Sequence, residues 1–295
     1  MNHAIVDVML PGALAFIMFA LGLDLVPGDF MRVFARPRSV LVGLLGQVVM
    51  VPVLAFAIAD LSGLPTELAL GLMILAACPG GVSSGLITHL ARGETALSIT
   101  LTAITSVVAV VSVPLVVDLS MRHFTGAGAM VELPVGRLVR GVFLLTTVPV
   151  AMGMLCRHLW PEPVSRRQSA ASRLATSLFV LIVIATFASQ HETLSRHIAS
   201  IGPVAIALNL SVMAGGYALA AAAGLERRDR IAITTECGLQ NAALGIFIAA
   251  SLFAAPGMTL ASVIYALLMN VSAIAFIFLM RHRAGSPHRR GLDAA

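Results

Sequence analysis

A carboxylate and two amides lie within six residues in the stretch IAITTECGLQNAALGIFI, residues 231–248: Glu236, Gln240 and Asn241, with Gly238 between them. The rest of the stretch is apolar enough to lie in a bilayer, where a carboxylate costs about 3 kcal/mol or more. No lysine or arginine lies inside it, and Arg230 stands only at its edge. Glu236 therefore calls for a polar cavity, a proton or a bound cation.

A second stretch of the same kind is LPTELALGLMILAACPGGVSSGLITHLARG, interrupted at Pro79, Gly80 and Gly81. Proline removes a helix donor and glycine tolerates non-helical backbone. One such interruption is compatible with a plain kink. Two in matching positions point to a carrier built from two related halves, with broken helices meeting at mid-membrane. Each is preceded by a span and a short turn, Gly63-Leu64 in one case and Gly224-Leu225 in the other. Carbonyls freed at such breaks are ligands for a hard cation such as Na⁺. The amides near Ser83–Gly85 and Gln240–Ala242 are expected to be free and to suit an anion.

Other polar residues fall in neighbouring apolar stretches. Gln47 lies in GLLGQVVMVP, Asn270 lies near the last apolar segment's middle, and Ser98 and Thr102 are spaced i, i+4 and share a helix face. Each also has a plainer reading as helix glue or a self-bonded hydroxyl. The histidines form no metal motif: HETLSRH has Ser195 where HExxH needs histidine.

The elements that must position these residues are membrane spans. The chain has 295 residues, 58% hydrophobic and 11% charged, with mean hydropathy +0.96. Soluble domains carry about 25% charged residues. All 19 basic residues are arginine, which excludes a Walker A lysine and lysine Schiff-base chemistry. The charge of +5 reads as membrane flanks, not a nucleic-acid surface. Cys78, Cys156 and Cys237 are far apart in apolar contexts and read as buried thiols. The N-terminus lacks a basic region and reads as a first span, not a cleaved signal.

Stretches long enough to cross a bilayer fall near 4–25, 38–60, 66–91, 95–119, 134–158, 171–190, 198–223, 228–253 and 257–280. The expectation is an all-α polytopic protein of nine spans over residues 1–280, with a polar cytoplasmic tail over 281–295. Fifteen arginines fall on one set of connections and four, Arg122, Arg137, Arg140 and Arg196, on the other. The positive-inside rule then places the N-terminus outside and the C-terminus in the cytoplasm.

Three motifs together resemble the bile acid:sodium symporter family: CPGGVSSGLITHLARGETALSITLT at 78–102, ECGLQNAAL at 236–244 and GLLGQVVMVP at 43–52. The resemblance covers nearly the whole chain. It implies an inverted repeat, a core domain with two crossing broken helices, and a panel domain that moves against it. It also implies two sodium sites. The first takes Ser84, the position of Gly85, Ser98, Thr102 and Glu236; the second takes Gln47, Glu236 and Gln240 with the carbonyls of Cys237 and Leu239. Substrate-facing positions are Val82, Ser83, Asn241, Met269 and Asn270. The chain departs from the family at three of these positions. Relatives often have asparagine at Gly85, a hydroxyl residue at Val82 and histidine at Met269.

The reading is a bacterial inner-membrane symporter, not an enzyme. It moves an organic anion, bile acid-like or a small carboxylate such as pantoate or pyruvate, with Na⁺ by alternating access. It needs no organic cofactor and no protein partner. The rivals are a proton-coupled carrier using Glu236 as its proton site, and a channel or membrane sensor.

Overall fold

The computed structural model describes residues 8–26, 28–29, 31, 36–81, 83–125, 135–189 and 191–284. Among them every regular element is helical. In chain order the helices are α1 (Leu10–Asp24), α2 (Pro37–Ser62), α3 (Thr66–Ala77), α4 (Ser84–Leu90), α5 (Thr95–Phe124) and α6 (Val135–Leu159). There follow α7 (Pro161–Ser189), α8 (His191–Ala222), α9 (Arg227–Gly238), α10 (Ala242–Leu252) and α11 (Thr259–Ala284). Six of them, α2, α5, α6, α7, α8 and α11, are long and apolar enough to cross a membrane.

The two interrupted stretches are helix pairs, α3 with α4 and α9 with α10, and not kinked single helices. In each pair the chain leaves the helix for a few extended residues. Those residues meet as a short antiparallel bridge between Gly80 and Gln240. Gly81 N–H donates to Leu239 O at 2.6 Å, and Asn241 N–H donates to Pro79 O at 2.9 Å. The backbone groups stranded by one break thus satisfy those stranded by the other. Irregular backbone at membrane depth survives only when so enclosed. The enclosure is nearly complete. Residues 68–77 of α3, 231–238 of α9 and 242–250 of α10 are all buried. A helix apolar on every side belongs inside a bundle, not at its surface.

The turns that flank the two broken pairs are alike as well. Gly63 after α2 (φ 62°) and Gly224 after α8 (φ 67°) both take the left-handed conformation that a glycine helix stop provides. Each precedes a broken pair. Each pair ends near a non-glycine residue with positive φ, Arg92 after α4 and Ala254 after α10.

α1 packs chiefly on α6 and α7. Gly22 and Gly153 let the α1 and α6 backbones touch: a Cβ on Gly153 would fall on Phe19 O, and one on Gly22 would fall on Val150 O. Arg157 reaches from α6 to donate to Leu23 O at 2.6 Å. The broken pairs are wrapped mainly by α2, α5, α8 and α11.

Some boundaries differ from expectation. α7 starts at Pro161, not near 171, because proline at the first helical position and Glu162 in the first turn favour a start there. α8 starts at His191, seven residues before 198, and α5 runs on to Phe124. The first four residues of the expected tail extend α11 to Ala284; residues 285–295 and 1–7 lie outside the described residues.

Candidate functional site

Glu236 is fully buried, two turns into α9 and beside the crossing. Its carboxylate is held by two hydroxyls of α5, which a hydroxyl of α4 backs. Thr102 Oγ1 on α5 lies 2.8 Å from Oε1 and 2.9 Å from Oε2, and Ser98 Oγ lies 3.3 Å from Oε2. Ser84, the first residue of α4, bonds Thr102 at 3.1 Å and Ser98 at 3.3 Å. The i, i+4 spacing on α5 therefore places both hydroxyls on the face that meets Glu236. Gly80 makes the approach possible, since a Cβ there would fall into the carboxylate. The result is a compact group of hard oxygens around one carboxylate, a donor set suited to an alkali cation. Among the described residues no arginine joins it: Arg230 turns back to donate to Leu225 O at 2.7 Å.

Gly85 borders this group without facing its centre. A Cβ there would meet Ile99 Cγ1 on α5 at 3.2 Å.

A second polar group lies on α2's side of the crossing. Gln47 Nε2 donates to Gln240 Oε1 at 2.8 Å and to Cys78 O at 3.0 Å, while Gln240 Nε2 donates to Cys237 O at 2.8 Å. Gln47 sits within a wide turn at Gly46–Met50, just before Pro52. Gln47, Gln240 and the Cys237 carbonyl, three members of the second group that the family resemblance implies, thus lie together. Two members differ. The Leu239 carbonyl accepts the Gly81 amide across the bridge, and the Glu236 carboxylate is bonded to the hydroxyl group, not to either glutamine.

The positions expected to face substrate scatter. Val82 lies outside the described residues. Ser83 is half-buried at the start of α4, with no side-chain cap bond. Asn241 is buried and caps α10, its Oδ1 accepting Leu244 N–H at 3.1 Å. Its Nδ2 faces Met18 Sδ of α1 at 3.7 Å, a contact between the crossing and the α1–α6–α7 group. The amides near Gln240–Ala242 are less free than expected, since Asn241, Ala242 and Leu244 N–H all have acceptors. Met269 is buried. Asn270 is exposed on a stripe of α11 with Leu267, Val271 and Ile274, its amide bonded to Ala266 O at 2.6 Å.

Sequence reasoning missed Asn209 and Tyr265. Both are buried, and both donate to Gly238 O, at 2.9 and 3.0 Å, fixing the end of α9 between Cys237 and Leu239. An amide in the apolar stretch 198–223 was the available signal for Asn209. Cys78 O was also missed, because a carbonyl freed at a break leaves no mark in residue type.

The profile described as Sodium Bile acid symporter family matches residues 11–197. The chain is 30% identical over 271 residues to a chloroplast protein of rice named as a probable sodium/metabolite cotransporter, BASS2; the match covers 92% of this chain and 63% of that one. It is 30% identical over 261 residues to YocS of Bacillus subtilis, named as an uncharacterized sodium-dependent transporter, covering 88% of this chain and 78% of that one. The ileal sodium/bile acid cotransporter of rabbit is 27% identical over 171 residues, 58% of this chain and 49% of its own. The chain thus spans about three fifths of the rice protein and half of the rabbit one in these matches.

Proposed function

We propose that this chain, which belongs to the sodium bile acid symporter family, couples inward movement of Na⁺ to uptake of an organic anion by alternating access. The observation that carries the reading is Glu236, fully buried at the crossing and faced by Ser84, Ser98 and Thr102 from two other helices. A carboxylate so placed, with hydroxyls in place of a basic partner, attracts and partly neutralises a small cation. The names of the relatives, sodium-dependent or sodium-coupled, favour Na⁺ as that cation.

In this reading Na⁺ enters the group formed by Ser84, Ser98, Thr102 and Glu236, with Gly85 at its border; the hydroxyls keep their protons and turn their lone pairs to the ion. A second Na⁺ separates the Gln47–Gln240 pair and takes their oxygens with the carbonyls of Cys237 and Cys78. Glu236 serves the second ion through its charge. Filling both sites joins α2, α4, α5 and α9 into one unit and commits the crossing to carry substrate.

The matched turns after α2 and α8, and after α4 and α10, favour an inverted repeat. Counting α1 and each broken pair as one crossing gives nine spans. α1, α6 and α7 then form the panel and the remaining helices the core. Asn241 against Met18 marks where the two bodies face one another, and Ser83, Asn241 and Met269 are offered to the anion from the core side. The substrate class is a monocarboxylate or bile acid-like anion. The arginine bias puts the N-terminus outside and the C-terminus in the cytoplasm of a bacterial inner membrane.

The test is uptake of a panel of labelled carboxylates into proteoliposomes with Na⁺ or K⁺ outside. Glu236→Gln keeps the shape and removes the charge; it is expected to lower Na⁺-driven uptake at least a hundredfold, while Gln240→Ala leaves residual transport. Accumulation that follows a pH gradient and ignores Na⁺ would instead make Glu236 a proton site. Conductance without accumulation would make the protein a channel.

A further inference from the structure

A narrow crease runs between α2, α3 and α5 from one end of the crossing. Gln47, Cys78 and Thr105 line its inner part, and Val48, Ser112 and Val116 line its outer part. Its lining residues on α5, Thr105, Ser112 and Val116, are spread over about 16 Å of helix at 1.5 Å per residue. It heads towards the end of α5 that carries Arg122 and His123. Its free space is about 10 Å³, the room of one water molecule. Thr105, Gln47 and Cys78 are buried, whereas Val48, Ser112 and Val116 are half-buried, so the crease opens at the Ser112 end.

The lining is richer in oxygen than a packing defect would be. Gln47 and Cys78 O belong to the amide group already described. The Thr105 hydroxyl donates to Leu101 O at 2.8 Å and Thr102 O at 3.2 Å, which leaves its own lone pairs for an acceptor's role. Pro52 also lines the crease and has no N–H, so a carbonyl of the wide turn at Gly46–Met50 loses its helical donor. None of Ser84, Ser98, Thr102 or Glu236 lines the crease. It reaches the amide group alone.

We propose that this crease is the route by which Na⁺ reaches the Gln47–Gln240 group, with Ser112 at its mouth and Thr105 midway. The proposal rests on the sodium-coupled reading above. An ion on this route sheds most of its water and exchanges it for Ser112, Thr105 and a carbonyl of the wide turn before meeting Gln47. Passage here is separate from arrival at Glu236, so the two ions load by different paths.

A route residue alters the rates of binding and release together and leaves the affinity unchanged; a ligand alters the affinity. The experiment uses the purified full chain with Ser112→Cys and follows ²²Na⁺ association and release before and after a methanethiosulfonate reagent, with the wild type treated in parallel. Modification is expected to slow both rates of one kinetic component about tenfold, with the equilibrium affinity within about twofold, as for a blocked narrow pore. Dithiothreitol should restore both rates, and the wild type should not respond. Ser112→Ala should leave the affinity unchanged. Complete modification with unaltered rates would overturn the route while wild-type binding upholds sodium coupling. A weaker affinity with an unaltered association rate would make Ser112 a ligand and overturn it too. Wild-type protein that binds no ²²Na⁺ would overturn the sodium reading itself, and the route with it.

Discussion

Gly80 and Gly85 sit five residues apart and constrain the site in different ways. Gly80 leaves the space that the Glu236 carboxylate fills, and no side chain fits there. Gly85 faces Ile99 with tight but yielding contact at 3.2 Å. An asparagine at this position can be accepted by a small shift of Ile99, and its amide can turn towards Ser98, the neighbour of Ile99 on α5. Gly85→Asn is therefore expected to add one oxygen ligand to the hydroxyl group and lower the half-saturating Na⁺ concentration by about threefold, the worth of one hydrogen-bond-like contact. The measurement is Na⁺-dependent uptake in both forms, with folding checked by gel filtration. A folded variant with equal or weaker sodium dependence would remove Gly85 from the site's border. The same scale holds the main surprise for the second group. Leu239 O accepts the Gly81 amide across the bridge, while Cys78 O, from the other broken pair, stands beside Gln47.

At the scale of helices, α2 and α9 must keep their register for Gln47 and Gln240 to meet. A polar strut about two to three turns away pins them. Asp229, buried in the first turn of α9, accepts Ser39 Oγ of α2 at 2.6 Å and Arg36 Nη1 at 3.4 Å. Ser39 precedes Gln47 by eight residues, about two turns of α2, and Asp229 precedes Gln240, just past the end of α9, by eleven, about three turns. Ser39→Ala leaves a buried carboxylate oxygen short of a donor, at a cost of about 1–3 kcal/mol. It is expected to lower the melting temperature and to raise the half-saturating Na⁺ concentration severalfold, with Ser39→Thr restoring both. A lowered melting temperature with unchanged sodium dependence would make the strut a matter of stability alone.

For the whole molecule, motion of one body against another requires each to be stiff. α1 and α6 touch backbone to backbone at Gly22 and Gly153, with Arg157 closing the end onto Leu23 O. Such small-residue contacts are a main source of helix association in lipid. Gly153→Leu is expected to force the helices apart at a cost of about 2 kcal/mol or more, seen as a reduced folded yield and a lower melting temperature. A variant of wild-type stability would show that α1 and α6 can slide, and the panel would lose its basis. Orientation is tested separately: a reporter fused to the C-terminus should be active only in the cytoplasm, and periplasmic activity would reverse the proposed topology.

The residues themselves determined that this chain lives in a membrane, that two of its apolar stretches break, and which polar groups stand at the breaks. Hydropathy, Pro79-Gly80-Gly81 and an unpaired Glu236 are local properties, and a bilayer punishes local errors heavily enough to make them legible. The i, i+4 pair Ser98–Thr102 was legible for the same reason. Helix extents were less so: α7 and α8 begin early, because proline and acidic residues extend a helix beyond its apolar part. Only the tertiary structure decided which oxygen meets which. Glu236 turns to the hydroxyls and not to Gln47, Leu239 O goes to Gly81, and Asn209 and Tyr265 converge on Gly238 O from two helices. Those choices depend on how separate helices cross. A sequence states the groups each helix carries, but the competition among distant donors for one acceptor is settled only when packing brings them within 3 Å.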